Sequence, residues 1–560
     1  MNTDKDLHSI VRCFYFTAML NLSNITKCAG GVPLYENVGF QINPGEKVGL
    51  VGPNGAGKTT FFRMIVGEEQ PDKGSVSIQN GVKVSYFSQK VGEMKGRSAL
   101  LEVISGNLRA AELAVRLKTY EEKLCDPDLD PAEMEKVLEK MGEDQTEFEK
   151  LGGFAVETNA EVILTGLGIV PADHSKPVED FSSGWKMRIA LAKVLIANPD
   201  LILMDEPTNY LDMETILWLE EWLRNFKGAI LMTTHDRDFM NRVVNKIVEV
   251  AQGKVTCFTG NYDFYEQEKA IRRRNNEAEF SRQQSMIKKE EDFIARFKAR
   301  ASHAAQVQSR VKMVEKIERV EMMVDEDEIC IELPEIARGG NDVAIVKNLA
   351  KCWKNTDGSD KPVFSGLDAV IHRQNRIAIV GVNGAGKSTF LKVLCGSTPP
   401  TSGEVIIGPS ISIGYFGQST IESLDENETV FKVVQNKLPR ANDGTIRNLL
   451  AAFLFKGDEV FKKIKVLSGG EKTRVILAYL LSTPCNCLVL DEPTNHLDIT
   501  SRKVLLDALK RYEGTLLLVS HDRFFLREIT SRVFEVDRGR INVYEGNYSY
   551  YLECRQNMKM

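Results

Sequence analysis

Two lysines, Lys58 and Lys387, each close a glycine-rich run, GPNGAGKTT and GVNGAGKST, that follows an apolar strand (KVGLV, RIAIV) and opens a helical stretch. The spacing Gly-x-x-x-x-Gly-Lys-Thr/Ser in that setting makes a phosphate cradle. Gly52, Gly55 and Gly57 with Asn54, and Gly381, Gly384 and Gly386 with Asn383, let backbone N–H groups close around an anion at a helix N-terminus, where the helix dipole favours negative charge. Lys58 and Lys387 would reach the β- and γ-phosphates of ATP. Thr59 and Ser388 would place a hydroxyl on Mg²⁺, and Thr60 and Thr389 complete the two runs.

Carboxylates come next. The apolar strands LILMD and LVLD deliver Asp205 and Asp491, each followed by a glutamate. An aspartate at a strand end beside the cradle suits the metal, directly or through water. Glu206 or Glu492 is then placed to take a proton from an attacking water. Gln89 and Gln418, in YFSQ and YFGQ, carry an amide able to touch both metal and water. His235 and His521, at the ends of AILMTTH and TLLLVSH, are expected to hydrogen-bond the γ-phosphate. A lone histidine after an apolar strand is usually structural, and the recurrence in both places favours the functional reading.

The recurrence is an internal duplication. The lysines and the YFSQ/YFGQ pair share an offset of 329, whereas FSSGWKMR/LSGGEKTR, DEPTNYLD/DEPTNHLD, THDRDF/SHDRFF and the two GNY triplets share an offset of 286. The first copy therefore holds 43 extra residues between YFSQ and FSSGW, an insertion within about 90–155, helical by pattern and acidic. From Glu112 to Lys150 it carries 13 acids and 6 bases.

A chain of 560 residues has room for several domains. No apolar run approaches the roughly 18 to 20 residues that cross a bilayer, which argues against a fused permease. The opening MNTDKDLHSIVRCFYFTAML lacks the basic start and small-residue cleavage site of a signal peptide, and residues 1–18 are expected to be a leader with Met19 the working start. The ten cysteines are scattered; Cys485 and Cys487 fall in an expected buried strand, as reduced thiols of a cytoplasmic protein.

With these motifs the chain resembles the ATP-binding cassette superfamily, and nearly all of it from Met19 onward is similar to the ABC-F family: two cassettes in one chain without membrane spans, DEPTN-x-LD after the strand, a charged helical linker and an insertion in the first cassette. The resemblance implies an α/β fold with two P-loop cassettes in tandem, joined by a helical hairpin, acting as a cytosolic ATPase with ATP and Mg²⁺. It implies that Ser182, Ser183 and Gly184, and Ser468, Gly469 and Gly470, are signature segments closing on the nucleotide of the opposite cassette. It also implies a ribosomal partner, contacted through ribosomal and transfer RNA, in regulation of elongation or protection of the ribosome. Three residues depart from the family pattern. Phe181 and Ser183 stand where leucine and glycine are usual, with Ser183 expected to add crowding or an unfavourable backbone angle. Trp353 is a candidate to stack on adenine, but the first copy offers only Cys28 and Ala29 there, with Tyr35 as a substitute. Tyr210 replaces the histidine found at 496.

The expected domains are 19–266, a linker at 267–335, and 336–560. From Ile271 to Glu321 the linker holds 13 basic and 8 acidic residues, while the whole chain is at −6. Arg296, Lys298, Arg300, Arg310 and Lys312 occur without an intervening acid around an expected turn at Ala301–Ala305, as candidate RNA-phosphate contacts. The acidic insertion suits a basic ribosomal protein instead. Two other readings stand beside this one: the ATPase of an exporter with separate permease subunits, which the basic hairpin and fused cassettes disfavour, and a DNA-repair ATPase, disfavoured by the lack of zinc-ligand clusters and of a long coiled coil.

Overall fold

The computed structural model describes residues 18–88, 92, 94–124, 131–150, 153–209, 211–297, 304–317, 333–354, 360–495, 497–537 and 539–559. Residues 1–17 of the expected leader, Gln89, Tyr210, Lys298 and Arg300 lie outside the described residues.

Each copy folds around one six-stranded sheet. In the first, the order is Val84–Phe87, Leu201–Asp205, Ala229–Thr233, Lys47–Val51, Lys246–Ala251 and Lys254–Thr259, all parallel except the last pair. The second repeats it with Ile413–Phe416, Cys487–Asp491, Thr515–Val519, Arg376–Val380, Arg532–Asp537 and Arg540–Tyr544. Strands without polar alternation, such as LILMD and TLLLV, are those a parallel sheet covered on both faces requires. Their side chains divide accordingly. Ile202, Met204, Ile230 and Met232 enter one core with the helices Ser183–Ile196 and Met213–Asn225, while Leu201, Leu203, Ala229 and Leu231 enter another with the helix Lys58–Ile65. A three-stranded antiparallel sheet closes the second core: Val32–Ile42, Leu20–Ala29 and Lys73–Ile78 in the first copy, Asp360–His372, Asp342–Lys354 and Ser402–Ile407 in the second.

Inside the expected insertion, the helices Leu108–Leu124 and Pro131–Lys150 pack together, with the Tyr120 hydroxyl donating to Asp144. The linker is a hairpin. Its first helix, Tyr262–Phe297, starts inside the first copy, where Tyr262 and Tyr265 belong to the core, so no break falls at 267. The second, Ala304–Lys316, packs back along it, with Ile287 and Val307 buried. Ala304 and Ala305 of the expected turn are helical, and its residues 301–303 lie outside the described residues. Among the described residues no helix is long and apolar enough to cross a membrane. Cys485 and Cys487 are buried as expected, whereas Cys28 and Cys257 are exposed.

The two copies meet through reciprocal contacts. Met213 packs on the second copy's core and its counterpart Ile499 on the first's. The ionic part is one-sided: Arg523 is fully buried and pairs with Glu220, Asp236 (3.5 Å) and Asp238 (3.8 Å) of the first copy. The counterpart Arg237 instead stacks on Phe524, 4.7 Å from the ring centre. Removing one partner of a buried ionic cluster strands the others. Arg523→Ala is therefore expected to lower unfolding free energy by about 3 kcal/mol, measured by urea denaturation; a loss below about 0.5 kcal/mol would mean the cluster is as solvent-screened as a surface pair.

Candidate functional site

Parallel strands bring the motifs to one edge. The cradle follows Lys47–Val51, Asp205 ends Leu201–Asp205 and His235 follows Ala229–Thr233, so all three lie at the carboxyl ends of adjacent strands, where open α/β sheets bind ligands. Gly57 caps the helix Lys58–Ile65 in the left-handed region (φ 89°), and Gly386 does the same for Lys387–Leu394 (φ 101°). A Cβ on Gly57 would come within 2.7 Å of the Tyr35 ring, so this glycine is needed twice over. Thr60 and Thr389 sit on the first turns of these helices.

Lys58 folds over its own loop, Nζ donating to the carbonyls of Gly52 (2.6 Å) and Pro53 (2.9 Å); Lys387 does so to Gly381 (2.8 Å) and Val382 (3.1 Å). Burial lowers the pKa of both ammonium groups, opposed for Lys58 by Glu206, Asp498 and Asp205, and for Lys387 by Glu492, Asp212 and Asp491. A buried cation ringed by carboxylates is prepared for a further anion with its counter-charge, which is the demand of a nucleotide phosphate carrying a metal. The oxygen donors Thr59 and Asp205, with Ser388 and Asp491, fit a hard cation such as Mg²⁺.

The two carboxylates are held differently. Asp205 accepts from Thr59 (2.8 Å) on one oxygen and from Thr233 (2.7 Å) on the other. Asp491 has the Ser388 hydroxyl, but Val519 stands where the first copy has Thr233, and Asp491 Oδ1 is buried without a partner.

Glu206 and Glu492 share a left-handed backbone, φ 55° and 53°, which costs a non-glycine residue about 1 to 2 kcal/mol. Each backbone N–H is held by the neighbouring strand, from Glu206 to the Thr233 carbonyl (3.0 Å) and from Glu492 to that of Val519 (2.9 Å). The turn pushes each carboxyl group into a dry site, where burial raises it to about 7. His235 Nε2 lies 3.2 Å from Glu206, and His521 Nε2 3.2 Å from Glu492. Burial drives His521 down to about 3 and His235 well below its usual value, so both imidazoles are neutral. A carboxylate with a pKa near neutrality, its second oxygen unpartnered in Glu206, is equipped to accept a proton from water.

Across the interface each aspartate that ends DEPTN-x-LD does two jobs. Asp212 caps the helix Met213–Asn225 through Oδ1 (Thr215 N–H, 3.0 Å) and accepts through Oδ2 from the Asn383 N–H of the opposite P-loop (3.4 Å). Asp498 caps Ile499–Arg511 (Ser501 N–H, 2.8 Å) and accepts from Asn54 N–H (3.4 Å). Neither aspartate was among the candidates drawn from the sequence, although their repetition in both copies was the signal that could have found them.

The remaining candidates are distributed as follows. Ser182 and Ser468 begin exposed helix N-termini. Ser468 makes a reciprocal cap with Glu471, whereas Trp185 occupies the glutamate's place in the first copy and Ser182 has no side-chain cap. Ser183 is the first helical residue with a right-handed backbone, so the expected angular strain is absent. Gly184, Gly469 and Gly470 continue these first turns. Trp353 is half exposed, with Lys351 Nζ 4.6 Å above the ring, and is open to a stacking partner. Tyr35 is not a substitute: it is fully buried, stacked on Phe61 at 4.3 Å beneath the cradle. Gln418 is exposed and its amide donates to Glu422 (3.3 Å), away from Asp491.

Two outcomes follow from this geometry. Glu206→Gln with Glu492→Gln is expected to slow ATP hydrolysis by roughly 10² to 10⁴ while nucleotide binding persists; a rate within about threefold of the parent would remove both glutamates from the chemistry. Thr233→Val, which strips one hydrogen bond from Asp205, is expected to weaken Mn²⁺ binding in the presence of nucleotide by about tenfold, followed by electron paramagnetic resonance. Val519→Thr should strengthen it, and unchanged titrations for both would show that the hydroxyl does not orient the carboxylate.

Comparison with known proteins agrees with this architecture. Residues 35–209 and 364–495 match the ABC_tran family, described as ABC transporter, and residues 248–332 match ABC_tran_Xtn, under the same description. "ABC transporter F family member 5" of Arabidopsis thaliana is 37% identical over 542 residues, which cover 95% of this chain and 77% of that protein. "Putative ATP-binding protein YdiF" of Bacillus subtilis (strain 168) is 36% identical over 536 residues, covering 96% and 82%. Among solved structures, "RNase-L Inhibitor" superposes with a TM-score of 0.57 at 20% identity, covering 92% of this chain and 89% of that one. The archaeal ribosome recycling factor aABCE1, in complex with the ribosomal stalk protein aP1, superposes with a TM-score of 0.60 at 18% identity, covering 96% and 92%. These structural likenesses carry the fold, and the sequence relatives carry the family: the chain belongs to the ABC-F family of ATP-binding cassette ATPases.

Proposed function

We propose that this ATPase hydrolyses ATP at two composite sites and couples closure of its cassettes to binding of the ribosome in the cytoplasm, regulating elongation or protecting the ribosome. Site one would combine Lys58 and Glu206 with Ser468 and Gly470, and site two Lys387 and Glu492 with Ser182 and Gly184. In each, Thr59 or Ser388 and Asp205 or Asp491 would hold Mg²⁺. The glutamate would take the proton of the attacking water while the neutral histidine donates toward the γ-phosphate. Trp353 would stack on adenine in site two.

The observation that carries the ribosomal part is the hairpin. A 36-residue helix rooted in the first cassette's core and a shorter return helix flank a segment whose sequence is positively charged, in a chain whose net charge is −6. Arg296 and Lys312 are exposed there. Arg310 is partly committed, donating to Glu290 at 2.5 Å and lying 4.0 Å over the Phe293 ring, so it ties the two helices together. The similarly folded archaeal protein is a ribosome recycling factor. The acidic helices of the first cassette would face a basic ribosomal protein, since RNA would repel them.

Each cation on RNA phosphate releases about 0.7 to 0.9 of a counterion, so with Arg310 occupied by Glu290 the remaining four give a log–log salt slope of about −3 for ribosome binding. Replacing Arg296, Lys298, Arg300 and Lys312 by Gln is expected to flatten that slope and weaken binding, with basal ATPase nearly intact. Superimposable slopes for parent and variant in sedimentation assays would reduce the hairpin to a solvated spacer.

A further inference from the structure

The helix Ile499–Arg511 of the second cassette reaches site one twice. Its cap Asp498 holds the Asn54 N–H of the P-loop, and one turn later Arg502 extends into the same site. Arg502 Nη1 donates to the backbone carbonyl of His235 at 3.1 Å and to Asp522 Oδ2 at 2.9 Å, while Nε donates to the Leu497 carbonyl at 3.0 Å. The side chain is largely buried, 15% exposed. Three fixed acceptors leave the guanidinium one position, and a planar fork is the group that can satisfy them together.

Site two lacks this contact. The residue at the pseudo-equivalent position of the helix Met213–Asn225 is Ile216, buried in the first cassette's own core. The reciprocal aspartate Asp212 is held from its own side by Arg188 at 3.1 Å. Arg188 also bears electrostatically on Lys387 and His521 of site two, but among the described residues only Arg502 hydrogen-bonds the histidine carbonyl across the interface.

We propose that Arg502 is a positioning residue acting in trans on site one: by fixing the His235 carbonyl it sets the imidazole against Glu206, a dependence of site one on the second cassette beyond the closure that both sites need. The His235 backbone bears the ring whose Nε2 stands 3.2 Å from Glu206. A shift of that backbone displaces the ring while leaving Lys58, Thr59 and the phosphate cradle in place. Arg502 touches neither the cradle nor the Glu206 carboxylate, so its loss should appear in kcat rather than in nucleotide affinity. An interface arginine with only a structural role would instead weaken closure, which both sites need.

The inference rests on the P-loop lysines serving their own sites, which is part of the proposed function. The test isolates each site by silencing the other: Lys387→Ala leaves site one, Lys58→Ala leaves site two, and both together should abolish hydrolysis. Hydrolysis surviving in the double variant, seen before Arg502 is altered, would sink that reading and the inference with it. In the Lys387→Ala background, Arg502→Gln is expected to lower kcat by roughly 5- to 100-fold, with binding of a fluorescent ATP analogue changed less than about twofold. In the Lys58→Ala background the same change should lower kcat by no more than about threefold, since Arg502 reaches site two only through Asp522 and its charge near Glu492. Arg502→Lys, which keeps the charge but loses the fork, should fold if the glutamine variant does not, and should show a smaller loss confined to site one. Equal slowing of both sites, an effect in KM alone, or a site-one kcat within twofold for both variants would overturn the proposal.

Discussion

Everything at the interface depends on how two aspartates spend their four oxygens. A helix beginning at Met213 or Ile499 leaves N–H groups without partners, and Asp212 and Asp498 satisfy them with one oxygen each. The other oxygen faces the opposite cassette, where the P-loop of that cassette presents Asn383 or Asn54 N–H, and in Asp212 it also accepts from Arg188. One residue thus fixes the start of its helix and the register between cassettes. Met213 and Ile499, the next residues, fill the apolar space beside these contacts. A cap cannot be lost without loosening the docking, because the same carboxylate does both.

Behind that interface, each parallel sheet sets the reach of every reacting group. Its strands alternate side chains between two cores, so the strand positions are locked from both faces, and only the residues just past the carboxyl ends are at liberty to do chemistry. Glu206 and Glu492 use that liberty by adopting a left-handed turn that most residues avoid. The strain is retained because the adjacent strand holds the backbone N–H of each, and it delivers the carboxyl group to a dry site where its proton affinity sits near neutrality.

Against this shared frame the two sites have drifted apart. In the first, Asp205 is held on both oxygens and Arg502 enters from the opposite cassette. In the second, Asp491 keeps one oxygen unpartnered, and the facing signature helix begins with an uncapped Ser182. Small substitutions at equivalent positions, Thr233 against Val519, Arg502 against Ile216 and Glu471 against Trp185, all add order to site one or to the signature proposed to complete it. The ionic cluster around Arg523 is one-sided as well. The duplicated sheet is symmetric because both copies must bury the same strands, whereas the interface residues answer only to the partner they meet.

The amino-acid sequence by itself determined the duplication, the phosphate cradles, the strand-end carboxylates and the histidines, because each of these is local: a motif of a few residues fixed by backbone geometry and strand period. It also announced the hairpin, through the family resemblance that its charged linker helps to carry. What only the tertiary structure decided lies between segments far apart in the chain. Tyr35 reads as a tyrosine on a strand near the nucleotide, yet packing against Phe61 takes it out of reach of any ligand. Gln418 belongs to a repeated motif, yet the short helix it begins turns its amide to Glu422. Arg310 counts as one more cation of the linker until the return helix lays it against Glu290 of the first helix. Arg502 and His235 are 267 residues apart, and no local rule of periodicity or spacing links them. Their contact exists because two separately folded cassettes bury a common surface, and burial is a property of the assembled faces that no single stretch of sequence carries.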